Sequence, residues 1–588
     1  MKAQNQITIL LTVLFILISF VSVPFAGEIS TPEYDVTEEL DVEVEMRDGV
    51  RLSTNIYRPD AAGDFPALLM RTPYGNGGTG NEGYHFWAER GYAVVVQDTR
   101  GRYESEGLFY PVIFEAGDGL DTQKWVSEQP WCNGRIGTFG GSYVGMTQWM
   151  PAIEGSPYID AMFTEVPYVE NYTVAYQNGA YRMRLYSLWY TMMTAPYEFD
   201  LNGFINGNID SMDVHLPLIE QDTVTGWRMP FIRDVLNHPE NDAYWKPVSF
   251  EGKYGNVKAP VYILAGWFDL FTSQNLKNFT ELTKSSAGGS RRADHKIIVG
   301  PWGHGGYNNS TLGDRDFGEK ASVESYTIMQ KWFDCHLKGI DNGINDDPPI
   351  QIFVMGENVW RYENEWPLAR TQFTKYYLHS RGGAHTKNGD GSLTVQMPDS
   401  EAPDTYEYDP LSPVPSAPDS SVFDDFKYFP IDHSALEGRG DILVYTTPPL
   451  ENDMEITGPV SVTLYAASSA KNTDFTGKLL DVYPDGRAIY LCDGIIRASF
   501  RNGPVNTSFI EPGNVYEYSI DLWATSNVFK KGHSIRVEIS SSNFPRFDRN
   551  LNTALNNAAA TQIVKAAQTV YHNKKYPSHI VLPAIPVK

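Results

Sequence analysis

One serine stands among glycines in TFGGSYVGMTQW, residues 138–149. The run RIGTFGG before it reads as a short strand, and the chain from Tyr143 onward reads as a helix. A serine at a sharp strand-to-helix turn is pushed out with its hydroxyl exposed. The amides of the following helix then point at any negative charge that develops there. The spacing is G-x-S-Y-x-G, with the second glycine one residue later than in G-x-S-x-G. The bland alternative is a serine in a glycine-rich turn with no chemistry.

A nucleophilic hydroxyl needs a base, and the base needs an orienting acid. Asp269 follows the apolar run VYILAG in GWFDLF, and His304 follows KIIVG in PWGHGG. The chain order Ser142, Asp269, His304 is the order in which α/β-hydrolases carry nucleophile, acid and base. Taken alone, Asp269 also suits the cap of a helix starting near Thr272. Asp98 ends another strand and is a rival acid, but it precedes the serine; it is expected to pair with Arg100 or Arg102. The amide of Tyr143 is one candidate oxyanion donor. The hydroxyl of Tyr74, in the loop RTPYGNGG, is a second, with packing at the sheet edge as its alternative.

These groups must be held by strands of one sheet. Residues 34–59 alternate and read as an antiparallel hairpin turning at Asp48-Gly49. FPALLMRTPYG, GYAVVVQD, RIGTFGG and YIDAMFTEVP are short strands without clean alternation, with a helix at DGLDTQKWVSEQPW. Such runs predict a mostly parallel sheet covered on both faces. Residues 168–255 break the pattern, are rich in Tyr, Trp and Met, and read as a helical insertion. From about residue 350, starting with IQIFVMGENVW, short strands and turns predict an all-β module of sandwich or jelly-roll type. The segment SSSNFPRFDRN within it is expected to pack this module against the first domain.

The expected organisation is a signal segment at 1–26, a hydrolase domain at 27–167 and 256–345, a helical cap at 168–255 and a β-sandwich at 346–588. A chain of 588 residues exceeds one hydrophobic core and requires such a division. The run ITILLTVLFILISFVSV after Lys2 resembles a secretory signal with cleavage near Ala26, giving a secreted or periplasmic protein; an uncleaved membrane anchor is the alternative. A net charge of −25 argues against nucleic acid and against a basic membrane-binding surface. Three scattered cysteines do not make a disulfide scaffold, and no close Cys/His group suggests zinc. No cofactor or metal is expected, and composition is compatible with a monomer or a homo-oligomer.

The segments RTPYG, QDTRGRYESEG, QPWCNGRIGTFGGSYVGMTQW, GWFDLF and GPWGHGG, in that order, resemble the X-Pro dipeptidyl-peptidase superfamily of serine hydrolases. The similarity is to its branch of cocaine esterase, glutaryl-7-aminocephalosporanic acid acylase and α-amino acid ester hydrolase. GPVSVTLYAASSAKNTDFTGKLLDVYPDGRA and SIRVEISSSNFPRFDRN resemble that family's jelly-roll module. The resemblance implies an α/β-hydrolase with a helical cap and a C-terminal jelly roll. It implies Ser142 as nucleophile, Asp269 as acid, His304 as base, and Tyr74 with the Tyr143 amide as oxyanion donors. Tyr176, Trp189 and Tyr190 of the cap are expected to line an acyl pocket or to fill the core. Trp267 and Trp302, each two residues before a candidate catalytic residue, are expected to wall the pocket or pack the loops.

The implied reaction is transfer of a small acyl group from an ester or amide to water through an acyl-enzyme, with turnover falling as His304 takes up a proton. Phe271 and Thr272 stand where α-amino acid ester hydrolases carry an acid for the substrate ammonium, which disfavours a free α-amine. An X-Pro dipeptidyl-peptidase is one alternative, and an inert surface- or carbohydrate-binding protein is another.

Overall fold

The computed structural model of the protein describes residues 29–586, apart from 197–199, 201–202, 205–208, 286–294 and 419–429. The segment read as a secretory signal, 1–26, lies outside the described residues. Among those described, no helix is long and apolar enough to cross a membrane.

The hairpin β1 (Val36–Glu45) and β2 (Arg51–Pro59) opens a ten-stranded sheet. It continues with β3 (Phe65–Thr72), β4 (Ala93–Asp98), β5 (Cys132–Gly141) and β6 (Ala161–Glu165). Helices α1 (Glu82–Ala88), α2 (Glu115–Ser127) and α3 (Tyr143–Ile153) connect them. Between β6 and the next strand of this sheet lie α4 (Asn171–Ala175), the two-residue strands β7 (Tyr176–Gln177) and β8 (Ala180–Tyr181), and α5 (Met183–Thr194). Helices Ile209–Val214 and Pro230–Asn237 follow. The sheet resumes with β9 (Val261–Gly266) and β10 (Lys296–Gly300). Strands β4, β3, β5, β6, β9 and β10 lie side by side in that order, all parallel. Every residue of β4, β9 and β10 is buried. Their runs do not alternate because helices cover both faces.

After a small pair, β11 (Thr311–Leu312) and β12 (Arg315–Asp316), the chain does not leave this sheet where the sequence suggests. The run IQIFV forms β13 (Ile350–Val354), parallel to β10 with Ile350 opposite Ile297, and β14 (Val359–Glu363) closes the edge antiparallel. Sequence patterning assigned this run to the β-module. Ile350, Ile352, Phe353 and Val354 are buried together, which is the signature of an inner parallel strand.

The second assembly has twelve strands, almost wholly antiparallel, between Gln372 and Ala584. Along Met454–Ser468 and Tyr516–Phe529 the residues largely alternate between buried and accessible, and Val462 faces Ile520 across their ladder. Alternation marks a sheet with one face in a core. The segment after Ser540 grips the insertion. The Tyr181 amide donates to Asp548 Oδ1 (2.7 Å) and the Asp548 amide donates to the Tyr181 carbonyl (2.9 Å). The Arg184 amide, in the first turn of α5, donates to the Pro545 carbonyl (3.2 Å). The helix that follows β8 is therefore seated on the sandwich.

Candidate active site

Ser142 sits between β5 and α3 at φ 57°, ψ −122°. This is a strained conformation for a residue with a Cβ, and such strain clusters at functional positions. The turn is held by its backbone: the Ser142 amide donates to the Glu165 carbonyl (2.9 Å), and its carbonyl accepts from the Met146 amide (3.0 Å). The glycines around it are steric requirements. A Cβ on Gly140, at φ 124°, would meet Val144 Cγ1 at 2.3 Å, and one on Gly145 would meet Pro167 at 2.9 Å. The second contact accounts for the glycine at 145: there α3 packs against Pro167 in the chain leaving β6.

Behind the serine, α3 is buried along its length. The Tyr143 hydroxyl donates to Glu115 Oε1 (2.9 Å) and accepts from the Val112 amide (2.9 Å). Glu115 pairs in turn with the buried Arg71 (2.8 Å). This chain of polar contacts fixes the first residue of the helix, directly after the serine turn.

The loops after β9 and β10 are zipped together. The Trp267 amide donates to the Gly300 carbonyl (2.8 Å) and the Phe268 amide to the Trp302 carbonyl (2.9 Å). A Cβ on Gly266 would strike the Trp302 carbonyl at 2.3 Å. This zipper brings Asp269 Oδ2 to 2.5 Å from His304 Nδ1. Asp269 is fully buried, and its Oδ1 accepts from the Phe271 amide (2.7 Å). The Phe271 ring meets the imidazole edge to face, with centroids 5.5 Å apart. A carboxylate on Nδ1 puts the ring proton there and the lone pair on Nε2.

Ser142 opens into a cavity of about 760 Å³, its mouth included. Tyr168, Tyr186, Trp189, Tyr190, Phe231 and Phe271 are among its walls. None of the described lining residues carries a charge, and the one amide side chain, Asn171, is already bound to the Val169 and Val248 carbonyls. Trp189 reaches out of this cavity to Tyr74, donating its indole N–H to the phenol oxygen (3.0 Å). Tyr74 as a whole residue is 39% exposed, and desolvation of its phenol pushes it up to about 12, so it keeps its proton at neutral pH.

Three of the aromatic residues singled out above lie elsewhere. Tyr176 is buried beneath the cavity, stacked on Tyr172 and donating to the Val235 carbonyl (3.0 Å). Its reach is spent on the floor of the insertion. Trp267 donates to the Phe353 carbonyl (2.8 Å), and Trp302 donates to the Ala321 carbonyl (2.9 Å) while filling the space over Gly300. Both tryptophans pack the two loops and neither walls the cavity. Of the two expected partners of Asp98, Arg102 acts on it and Arg100 does not. Arg100 instead pairs with Asp118 (2.6 Å) and Asp48 (2.8 Å), and burial pushes the Asp98 carboxyl up to about 7, against the pull of Arg102.

Sequence reasoning did not single out Phe231, Tyr168 or Tyr186, nor the loop Tyr110–Ile113 that completes one wall. Their only signal is aromatic density. It also passed over Glu165, which ends β6 beside the serine turn. Burial alone pushes this carboxyl from 4.5 up to about 7. An acid raised on folding adds its full stability below 4.5 and loses it as pH rises through about 7. Glu165→Gln is therefore expected to leave the melting temperature unchanged near about pH 4 and to stabilise by about 1–3 kcal/mol near about pH 8. An equal loss of stability at both pH values would contradict this.

Among the described residues no group of three or more His, Cys, Asp or Glu is placed to hold a metal ion.

A parallel sheet covered on both faces, with a strained serine at one strand end and an Asp–His pair at two others, is the architecture of an α/β-hydrolase. Here it carries a helical insertion and a C-terminal β-sandwich. The family model for X-Pro dipeptidyl-peptidase (S15 family) matches residues 48–306, and that for the X-Pro dipeptidyl-peptidase C-terminal non-catalytic domain matches residues 342–581. Cocaine esterase from Rhodococcus sp. (strain MB1 Bresler) is 38% identical over 571 residues, covering 92% of this chain and 98% of that protein. A putative serine esterase of Mycobacterium bovis is 26% identical, over 92% of this chain and 94% of that one. Among solved structures, an aminopeptidase from the marine sediment archaeon Thaumarchaeota archaeon superposes with a TM-score of 0.79 at 26% identity, covering 97% of this chain and 99% of the other. An α-amino acid ester hydrolase shares the fold with a TM-score of 0.79 at 24% identity, covering 96% of this chain and 100% of the other. The chain belongs to the X-Pro dipeptidyl-peptidase (S15) family, in its cocaine esterase branch.

Proposed function

We propose that the protein is a serine esterase that hydrolyses carboxylic esters with bulky apolar or aromatic acyl groups through an acyl-enzyme. The observation that carries this reading is the uncharged aromatic cavity opening on Ser142, served by an imidazole already bonded to a buried carboxylate. His304 Nε2 takes the Ser142 hydroxyl proton as Oγ attacks the ester carbonyl. Asp269 holds the tautomer and favours the imidazolium that forms. The oxyanion is held by the Tyr143 amide and the Tyr74 hydroxyl, each donor supplying about 3 kcal/mol at the transition state. His304 returns its proton to the leaving alcohol, and water repeats the sequence to release the acid. Amides are a slower substrate class for the same machinery.

The peptidase reading is less well supported. A dipeptidyl-peptidase must hold a free N-terminal ammonium, and an ammonium facing an uncharged aromatic wall pays a desolvation cost with no counter-charge. We read residues 1–26 as an export signal that places the mature enzyme outside the cytoplasm. The discriminating experiment is a substrate panel of p-nitrophenyl acetate, p-nitrophenyl benzoate and an X-Pro-p-nitroanilide. The benzoate is expected to give the highest kcat/KM and the anilide the lowest. A preference for the anilide would overturn the esterase reading.

A further inference from the structure

Trp189 touches three things at once. Its indole N–H donates to the Tyr74 hydroxyl (3.0 Å). Its ring stacks on Tyr143, with centroids 5.3 Å apart and planes 22° apart. Its remaining surface walls the cavity that opens on Ser142. Tyr74 and Tyr143 are the two residues assigned above to the oxyanion, so one cap side chain rests on both.

The chemistry of the contact is directional. An indole N–H is only a donor, while a phenol has one proton and two lone pairs. Trp189 therefore occupies a lone pair of Tyr74, and the phenol proton must point to some other acceptor. Accepting a hydrogen bond also polarises the O–H and strengthens it as a donor. The phenol, raised to about 12 by burial, keeps that proton at neutral pH. A second tie joins the same two elements. Arg102 donates through Nε to the Pro73 carbonyl (2.9 Å), next to Tyr74, and through Nη1 to the Met193 carbonyl, four residues beyond Trp189 on α5. The Tyr74 loop is thus tied to α5 twice, at the phenol oxygen and, through Arg102, at Pro73.

We propose that Trp189 is a positioning residue that couples acyl recognition to the oxyanion hole: an acyl group packed against the indole fixes the ring that aims the Tyr74 proton. The inference rests on the assignment of Tyr74 under the proposed function. It gives acyl preference a route into kcat as well as KM, because a group too small to press on the indole leaves the donor less well held.

The test is a double-mutant cycle on the full chain with p-nitrophenyl benzoate and p-nitrophenyl acetate. Tyr74→Phe is expected to lower kcat about 100-fold. Trp189→Phe keeps an aromatic wall but removes the N–H. It is expected to lower kcat for benzoate about 5- to 10-fold, with KM within about twofold, and to affect acetate less. In the Tyr74→Phe background the same change is expected to cost less than about twofold, since the donor it serves is gone. Trp189→His, which keeps a ring N–H, is expected to recover part of the loss and serves as the second variant if Trp189→Phe does not fold. Equal costs of Trp189→Phe in both backgrounds, or an effect on KM alone, would overturn the coupling while leaving Tyr74 as an oxyanion donor. An unchanged kcat in Tyr74→Phe would instead overturn the assignment of Tyr74, and the coupling with it.

Discussion

Asp269→Asn is expected to lower kcat about 10⁴-fold while leaving substrate affinity nearly unchanged. The reason lies in the two contacts of this carboxylate. Oδ1 accepts from the Phe271 amide at 2.7 Å, and Oδ2 meets His304 Nδ1 at 2.5 Å. An asparagine must keep its oxygen toward the Phe271 N–H, so its NH₂ group faces the imidazole. Nδ1 is then forced to accept, the ring proton moves to Nε2, and the nitrogen meant to take the serine proton is blocked. The substitution is isosteric and the two loops remain zipped through backbone hydrogen bonds, so the melting curve should barely move. A kcat within about tenfold of the parent would show that Asp269 does not set the tautomer, since tautomer loss alone costs orders of magnitude.

The second large effect concerns the serine. Ser142→Ala is expected to lower kcat by about 10⁵–10⁶, with the remaining turnover coming from the oxyanion donors and substrate binding alone. Ser142→Gly is expected to be as inactive but more stable than the alanine variant, by about 1–2 kcal/mol, because position 142 holds φ 57°, ψ −122° and only glycine adopts positive φ without strain. Paired measurements of turnover and melting temperature on the two variants separate the chemical role of the hydroxyl from the backbone cost of the turn. A glycine variant less stable than the alanine one would show that the turn is not strained.

The parts of this site that read directly from sequence are those whose signal is local. Gly140, Ser142 and Gly145 are spaced by a turn that tolerates no bulk, so the turn is written in consecutive residues. Asp269 and His304 each follow a short, wholly buried strand, and strand ends in a parallel sheet open on one edge. The aromatic residues are a different matter. Trp189, Tyr190 and Tyr176 look alike in sequence, yet Tyr176 lies under the floor because β7 and β8 turn the chain between them. Trp267 and Trp302 sit close to Asp269 and His304, but each indole N–H is spent on a carbonyl of a neighbouring element, which only the tertiary structure reveals. Phe231 comes to the cavity from a helix about ninety residues beyond Ser142 and carries no local mark of its role. The sheet that receives Ile350–Val354 is hidden for a related reason: the run lies within the stretch matched by the C-terminal family model, 342–581, yet five residues of strand look the same whichever sheet receives them, and pairing with β10 is a long-range fact.

The esterase account depends on one covalent event, which a fluorophosphonate probe reports directly. After reaction of the intact protein, peptide mapping by mass spectrometry is expected to find a single adduct on the peptide carrying Ser142, and none in Ser142→Ala. An adduct on another residue, or no adduct in a protein that still hydrolyses p-nitrophenyl esters, would contradict the assignment of Ser142 as the nucleophile.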